Sequence, residues 1–265
     1  MVGLFTALYT VLRYIPTFPL YGVPGSSFRA SDFLAPMLGI LLGPWLAVLC
    51  IFFGTLINYA ASPPVFLGLD FLPASIAAVI AGLITTGRTK FGIVLYAVLL
   101  GIFLALPLST FWITVPGGYE VPYAWLHIVA LVLLVSPLGL NAYRWSKGSV
   151  GSTLVIGLLV IVLSATMAEH LMGGILYETI LFPTFKITTV FKAYFIWRII
   201  FYLYPVERLT ITAVTTLFGV SIIRVIKRSG LEEVLAAVRG PTITTGSPRS
   251  SRSEESGDSD KREAS

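Results

Sequence analysis

SSFRASDFLAPMLGILLGPW, residues 26–45, decides how this chain is read. Arg29 and Asp32 stand three apart, an apolar run follows at once, and Gly43-Pro44 cuts it. Proline disfavours helical geometry at the residue before it and donates no backbone hydrogen bond. Residues 31–60 are therefore either one long kinked helix or a tight hairpin of two shorter helices. The run before Gly43-Pro44 is short for a full span, which counts against the hairpin. Asp32 falls near a helix start, where a carboxylate favours the N-terminal dipole and Ser31 can cap.

Outward from that stretch the chain stays apolar. Of its 265 residues 56% are hydrophobic and 12% charged, and the mean hydropathy is +0.87. A soluble domain carries about 25% charged residues. Several apolar stretches exceed the roughly 20 residues that span a bilayer as a helix. The expected fold class is all-α: a polytopic membrane bundle over residues 1–228, with about six to eight transmembrane helices, in the cell membrane. Residues 1–228 carry thirteen Lys/Arg against six Asp/Glu, and residues 229–265 five against seven. The basic excess lies in the apolar part and reports topology, not nucleic acid. The single cysteine, Cys50, excludes an intrachain disulfide.

The first apolar segment, about Val2 to Leu20, has no basic residue before Arg13 and no small-residue cleavage site after it. It reads as a retained span and not a signal peptide. Further spans are expected at 71–87, 90–108 and 124–140. The stretch 150–180 is too long for one perpendicular span at about 1.5 Å per residue. It must tilt, break at Gly173-Gly174, or project beyond the bilayer. Residues 191–204 hold seven aromatics with Lys192 and Arg198, a density that suits the membrane interface. Pro205 is expected to end that segment, leaving 206–228 as the last span. Arg88 with Lys90, Arg144 with Lys147, and Arg224 with Lys227 and Arg228 mark cytoplasmic ends. With the hairpin reading both termini are inside; with a single helix over 31–60 the N-terminus is outside. Lys186, Lys192 and Arg198 run against this bias. Residues 229–265 form a cytoplasmic tail, Ser-rich and disordered from about 241.

One polar constellation lies inside the grease. On a helix, His170, Gly174 and Tyr177 share a face, with Glu169 and Glu178 at its flanks. Gly173 and Gly174 leave room beside them, so the group can line a solute pocket. Asn58, Tyr59 and Asp70 gather at the mouth of the third and fourth helices. His127, alone among apolar neighbours, reads as a satisfied core residue. Glu207 and Arg208, after Pro205, read as a helix-start pair in which Arg208 meets an acid. HExxH, paired DDxxD-type acids and GxSxG are absent, so no enzyme activity and no catalytic residue are expected. No GxxxxGK[ST] loop occurs, so ATP is not bound by that route. Two histidines and one cysteine are a thin ligand supply, and no metal site is expected.

FRASDFLAPMLGILLGPW (28–45), then FGTLINYA (53–60) and LDFLPASIAAVIAGLI (69–84), resemble the N-terminal half of S-components. These are the substrate-binding membrane subunits of energy-coupling-factor (ECF) vitamin transporters. YPVERLTITAVTTLFGVSIIR (204–224) resembles the last helix of the same family. S-components usually have six helices, and the surplus here lies near 90–140. The resemblance implies that 31–60 is the hairpin. It also implies a non-catalytic subunit that binds a small vitamin-like or micronutrient solute at the extracellular side. A transmembrane coupling subunit and ATPase subunits would supply the energy, so this chain needs no cofactor. On that reading Arg29, Asp32, Asn58, Asp70, His170, Tyr177 and Glu178 serve the solute, with Arg29 closing over it from the first loop; the alternative for Arg29 and Asp32 is that they pair and pin that loop. Gly3 and Ala7, four apart on the first helix, would pack against the coupling subunit, because small residues let helices approach closely. The competing reading is a non-catalytic scaffold in a larger membrane complex, and less so an intramembrane enzyme.

Overall fold

Proline and glycine set where the helices stop. The computed structural model describes residues 2–21, 23, 25–148 and 151–229. The tail read as disordered from about 241 lies outside the described residues. The first helix, α1 (Val2–Leu12), ends well before Leu20, the end of the first span expected from the sequence. Pro16 and Pro19 donate no backbone bond and push Ile15 and Phe18 towards extended backbone. The chain leaves as a short antiparallel hairpin instead, β1 (Pro16–Pro19) against β2 (Ser27–Arg29), with Pro16 opposite Arg29.

Helices α2 (Ser31–Leu42) and α3 (Pro44–Asn58) are separated by Gly43 alone, at φ 78° and ψ 174°. That backbone is one glycine takes readily. Their directions follow from α4 (Phe71–Thr85). Gly39 abuts Ala78 and Pro44 abuts Gly82, so α2 runs parallel to α4. Phe52 meets Phe71 edge-on at 5.0 Å, so α3 runs back antiparallel. Residues 31–58 are thus a helical hairpin and not one kinked helix. A Cβ on Gly39 would collide with the Ala78 carbonyl, and one on Gly82 would stand 2.8 Å from Pro44 Cα. Small residues at these crossings are what let the backbones touch. Ser31 does not cap α2; Ala30 holds the N-cap position without a side-chain bond.

After α5 (Thr89–Ala105) comes a second hairpin, β3 (Trp112–Thr114) against β4 (Glu120–Pro122). Next are α6 (Trp125–Val135) and α7 (Pro137–Gly148), bent 66° apart. Helix α8 (Ser152–Leu176) passes unbroken through Gly173-Gly174. It continues as a π turn (Tyr177–Leu181) into the short α9 (Phe182–Thr184). Gly174 is needed for contact, since a Cβ there would lie 2.9 Å from the Phe103 ring. Helix α10 (Val190–Arg228) has 39 residues, or about 58 Å at 1.5 Å per residue. It does not break at Pro205. Phe201, Tyr204, Glu207 and Arg208 are buried on both sides of the proline, and that packing outweighs its cost of about 3 kcal/mol.

Among the described residues helices dominate, with two small hairpins. Ser152–Thr184 and Val190–Arg228 are long and apolar enough to cross a membrane, and α6 with α7 makes a third if the bent pair is one span. Among the described residues that is fewer than the six to eight spans expected. The reason is local: α1 to α5 have 11 to 17 residues each, because Pro and Gly interrupt apolar runs that composition alone counts as continuous.

The bundle has two distinct ends. Gly219 packs on Met37 and Leu158. Beyond that level α2, α4 and α10 run on to Gly43, Thr85 and Arg228, and Lys227 Nζ donates to the Lys147 carbonyl at 2.6 Å. The basic clusters at 88–90, 144–147 and 224–228 therefore share one end. The β1–β2 hairpin and the starts of α2 and α4 share the other.

Candidate functional site

At the hairpin end the helices part around a cavity of about 140 Å³. That holds on the order of ten waters, or a small organic molecule of similar size. Its walls come from α8, α10, the starts of α2 and α4, and the β1–β2 hairpin.

Arg208 is the central charge, 1% exposed. Its Nη1 donates to Glu169 Oε2 and to the Thr166 carbonyl, each at 3.4 Å, and Nη2 bonds Glu207. The guanidinium lies 5.2 Å over the Phe28 ring from the hairpin. Asp32, also buried, is a further cavity wall. Taking ions from water costs several kcal/mol each unless they are paired. Buried ionisable groups gathered in a cleft therefore make this the candidate site. Read from the sequence, Glu207 and Arg208 are a helix-start pair. They cannot be one, because α10 begins at Val190, far upstream. Arg208 does meet acids, as expected of it.

The hairpin is tied down at several points. The Tyr177 hydroxyl donates to the Tyr21 carbonyl at 2.6 Å. Asp32 accepts from the Arg29 backbone N–H at 3.2 Å and from Ser31 Oγ at 3.4 Å. The Arg29–Asp32 pair of the opening stretch thus works through backbone. Both salt bridges among the described residues belong to Arg208. Across the mouth, Asp70 accepts from the Val65 and Phe66 N–H groups at 2.9 and 3.1 Å and from the Tyr59 hydroxyl at 3.3 Å. Burial, with Asp70 beside it, pushes the Tyr59 hydroxyl up to about 12, so it remains a donor.

Arg29, Asp32, Asp70, His170 and Tyr177 all line the cavity. Asn58 and Glu178 do not. Asn58 is buried at the end of α3, where its carbonyl accepts from Ala61 and Ser62. Glu178 Oε1 accepts from the Leu108 N–H at 2.6 Å and so holds the turn after α5. Glu178 lies nine residues from Glu169, about half a revolution of helix, so the two cannot face one cavity. His127 sits in the core, and its Nε2 is 2.9 Å from His170 Nδ1. Gly3 and Ala7 lie on the exposed face of α1, beside Leu4, Leu8 and Val11.

Sequence reasoning assigns no solute role to Arg13, Trp197, Tyr204, Glu207 or Arg208, all of which line the cavity. The usable signal is an adjacent Glu-Arg pair inside an apolar segment. The break expected at Pro205 hides it.

No family model and no solved structure matches this chain. The chain is 29% identical over 173 residues to an uncharacterized protein of Methanocaldococcus jannaschii. That alignment covers 62% of this chain and 53% of the relative, about half of its length.

Proposed function

We propose that this chain is the solute-binding, multi-pass membrane subunit of an ECF-type uptake transporter. The observation that carries the reading is the cavity with buried paired charges, roofed by the first-loop hairpin. Arg29 and Phe28 on that hairpin and Tyr177 beneath it form a latch over a compartment sized for a small solute. The basic clusters gather at the far end, which the positive-inside tendency puts in the cytoplasm. The cavity then opens outward. The short helices α1 to α5 reach about 17–26 Å each, less than the roughly 30 Å hydrocarbon core. They cross as a bundle beside α8 and α10, with local thinning of the bilayer. The exposed small residues of α1, with open space around Gly3, offer a face for a coupling subunit.

Purified chain in detergent, screened against water-soluble vitamins and their precursors by thermal shift, tests the reading. One solute class should raise the melting temperature. Gly3→Leu with Ala7→Leu should lose co-isolation with a coupling subunit and keep that shift. A chain that co-isolates with membrane partners and responds to no solute is a scaffold, and the uptake reading falls.

A further inference from the structure

We infer that the cavity selects a small planar organic cation: an aromatic ring bearing a protonated amidine or amine, with Glu169 and Glu207 as its acceptors. This rests on the uptake reading and names the class of its solute.

The charge count favours a cation. Among the described residues four carboxyl groups line the cavity, Asp32, Asp70, Glu169 and Glu207, against three guanidinium groups, Arg13, Arg29 and Arg208. The acceptors are not equally engaged. Asp32 and Asp70 are occupied by backbone N–H groups and hydroxyls of their own loops. Glu169, 5% exposed, gives Oε2 to Arg208, and its other oxygen has no hydrogen bond among the described residues. Glu207, equally buried, likewise has one oxygen on Arg208 and one without a partner among those residues. Both residues line the cavity, so a free carboxyl oxygen there is open to a donor that enters it. A ligand N–H supplies one.

The remaining walls fit a flat ring with a charge. His170 is stacked on Tyr204 at 4.9 Å, and Trp197 and Tyr177 stand 5.9 Å apart beside them. Aromatic faces attract cations, and a flat ring can stack against an aromatic side chain that lines the cavity. Arg208 Nε is buried without a partner, which by itself suits an acceptor on the ligand. Yet two carboxylates already neutralise that guanidinium. A bound anion would stand against the four carboxyl groups of the wall, whereas a cation meets them as acceptors.

Three probes of equal size and shape separate the possibilities: benzamidinium, neutral benzamide and benzoate. Each is titrated calorimetrically into the purified full chain. Benzamidinium should bind at least about tenfold more tightly than benzoate, with benzamide between, as expected for hydrogen bonds to charged groups. Glu169→Gln should weaken benzamidinium by about tenfold and leave benzamide unchanged; the comparison of probes on the unaltered chain stands even where this variant folds poorly. Tighter binding of benzoate, or binding of none of the three, overturns the inference. A preference for benzoate leaves the uptake reading intact. Benzamidinium binding by a chain that fails to join a coupling subunit sinks the uptake reading and keeps the charge class.

Discussion

The α2–α4 contact and the half of the α8–α10 contact nearer the β1–β2 hairpin are both buried, and they are built from opposite materials. Across the first, Gly39 faces Ala78, and at the turn into α3 Gly82 faces Pro44, so the backbones touch and nothing fits between. Across the second, Glu169 faces Arg208. Long charged side chains hold the helices apart, and their demand for partners turns the gap into a polar chamber. Lower down, the same two helices close up where Gly219 meets Leu158. One pair of helices thus changes from sealed to open along its length. Side-chain volume and charge decide where.

If that contrast is right, the sealed contact should tolerate bulk least. Gly39→Val drives two methyls into the Ala78 backbone, which neither helix can yield. Overpacking costs typically about 1–3 kcal/mol where side chains can move, and more where backbone must. We expect little or no monodisperse protein after detergent extraction. Recovery with an unchanged melting temperature would mean that the α2–α4 approach is looser than described.

Arg208→Met tests the open contact. It leaves Glu169 and Glu207 buried without their counter-ion. Breaking a buried pair from one side costs about 3–5 kcal/mol. Adding Glu169→Gln and Glu207→Gln should recover most of that loss, because the charge left behind is what destabilises. Equal melting temperatures for the single and triple variants would locate the defect in packing and not in charge.

Tyr177→Phe removes one hydrogen bond to the hairpin, the Tyr21 contact, worth about 1 kcal/mol. Global melting should barely move. Limited proteolysis within residues 16–29 should speed up several-fold, since about 1.4 kcal/mol is tenfold. An unchanged cleavage rate would show that Phe28 on Arg208 and the Asp32 bonds hold the hairpin by themselves.

The smallest effect is at the mouth. Tyr59 sits at about 12 against an ordinary 10, raised by burial and then by Asp70. A raised acid stabilises the folded state below its unfolded value and loses that contribution as pH rises through the folded one. The Tyr59–Asp70 contact should therefore be fully present below pH 10 and fade towards about 12. Tyr59→Phe should flatten that part of the melting curve. A steeper loss in the variant than in the parent would contradict the assignment.

Much of the site is legible in the order of residues alone. The i, i+4, i+7 spacing of His170, Gly174 and Tyr177 puts two polar groups on one helical face, and both line the cavity. Glu178 misleads because spacing counted from His170 brings it near that face, whereas counted from Glu169 it points away. Asn58 looks available because it ends a helix, but its side chain is enclosed. Arg208 is undervalued wherever Pro205 is taken as a stop, since a helix start needs a cap more than it needs a site.

By itself, the sequence determined the helical character, the apolar bulk and the clustering of basic residues at alternate helix ends. Those follow from composition and short-range spacing, which any chain carries in one dimension. It also located the Gly43-Pro44 turn, though not whether the chain doubles back there. That was decided by contacts with α4, which lies well downstream in the chain. The length of α10 was a tertiary matter too, because buried neighbours on both sides of Pro205 outweigh the local penalty. So was the cavity. Glu169, Arg208, Phe28 and Tyr21 come from distant segments, and only packing brings a buried charge, its counter-ions and the hairpin that covers them to one place.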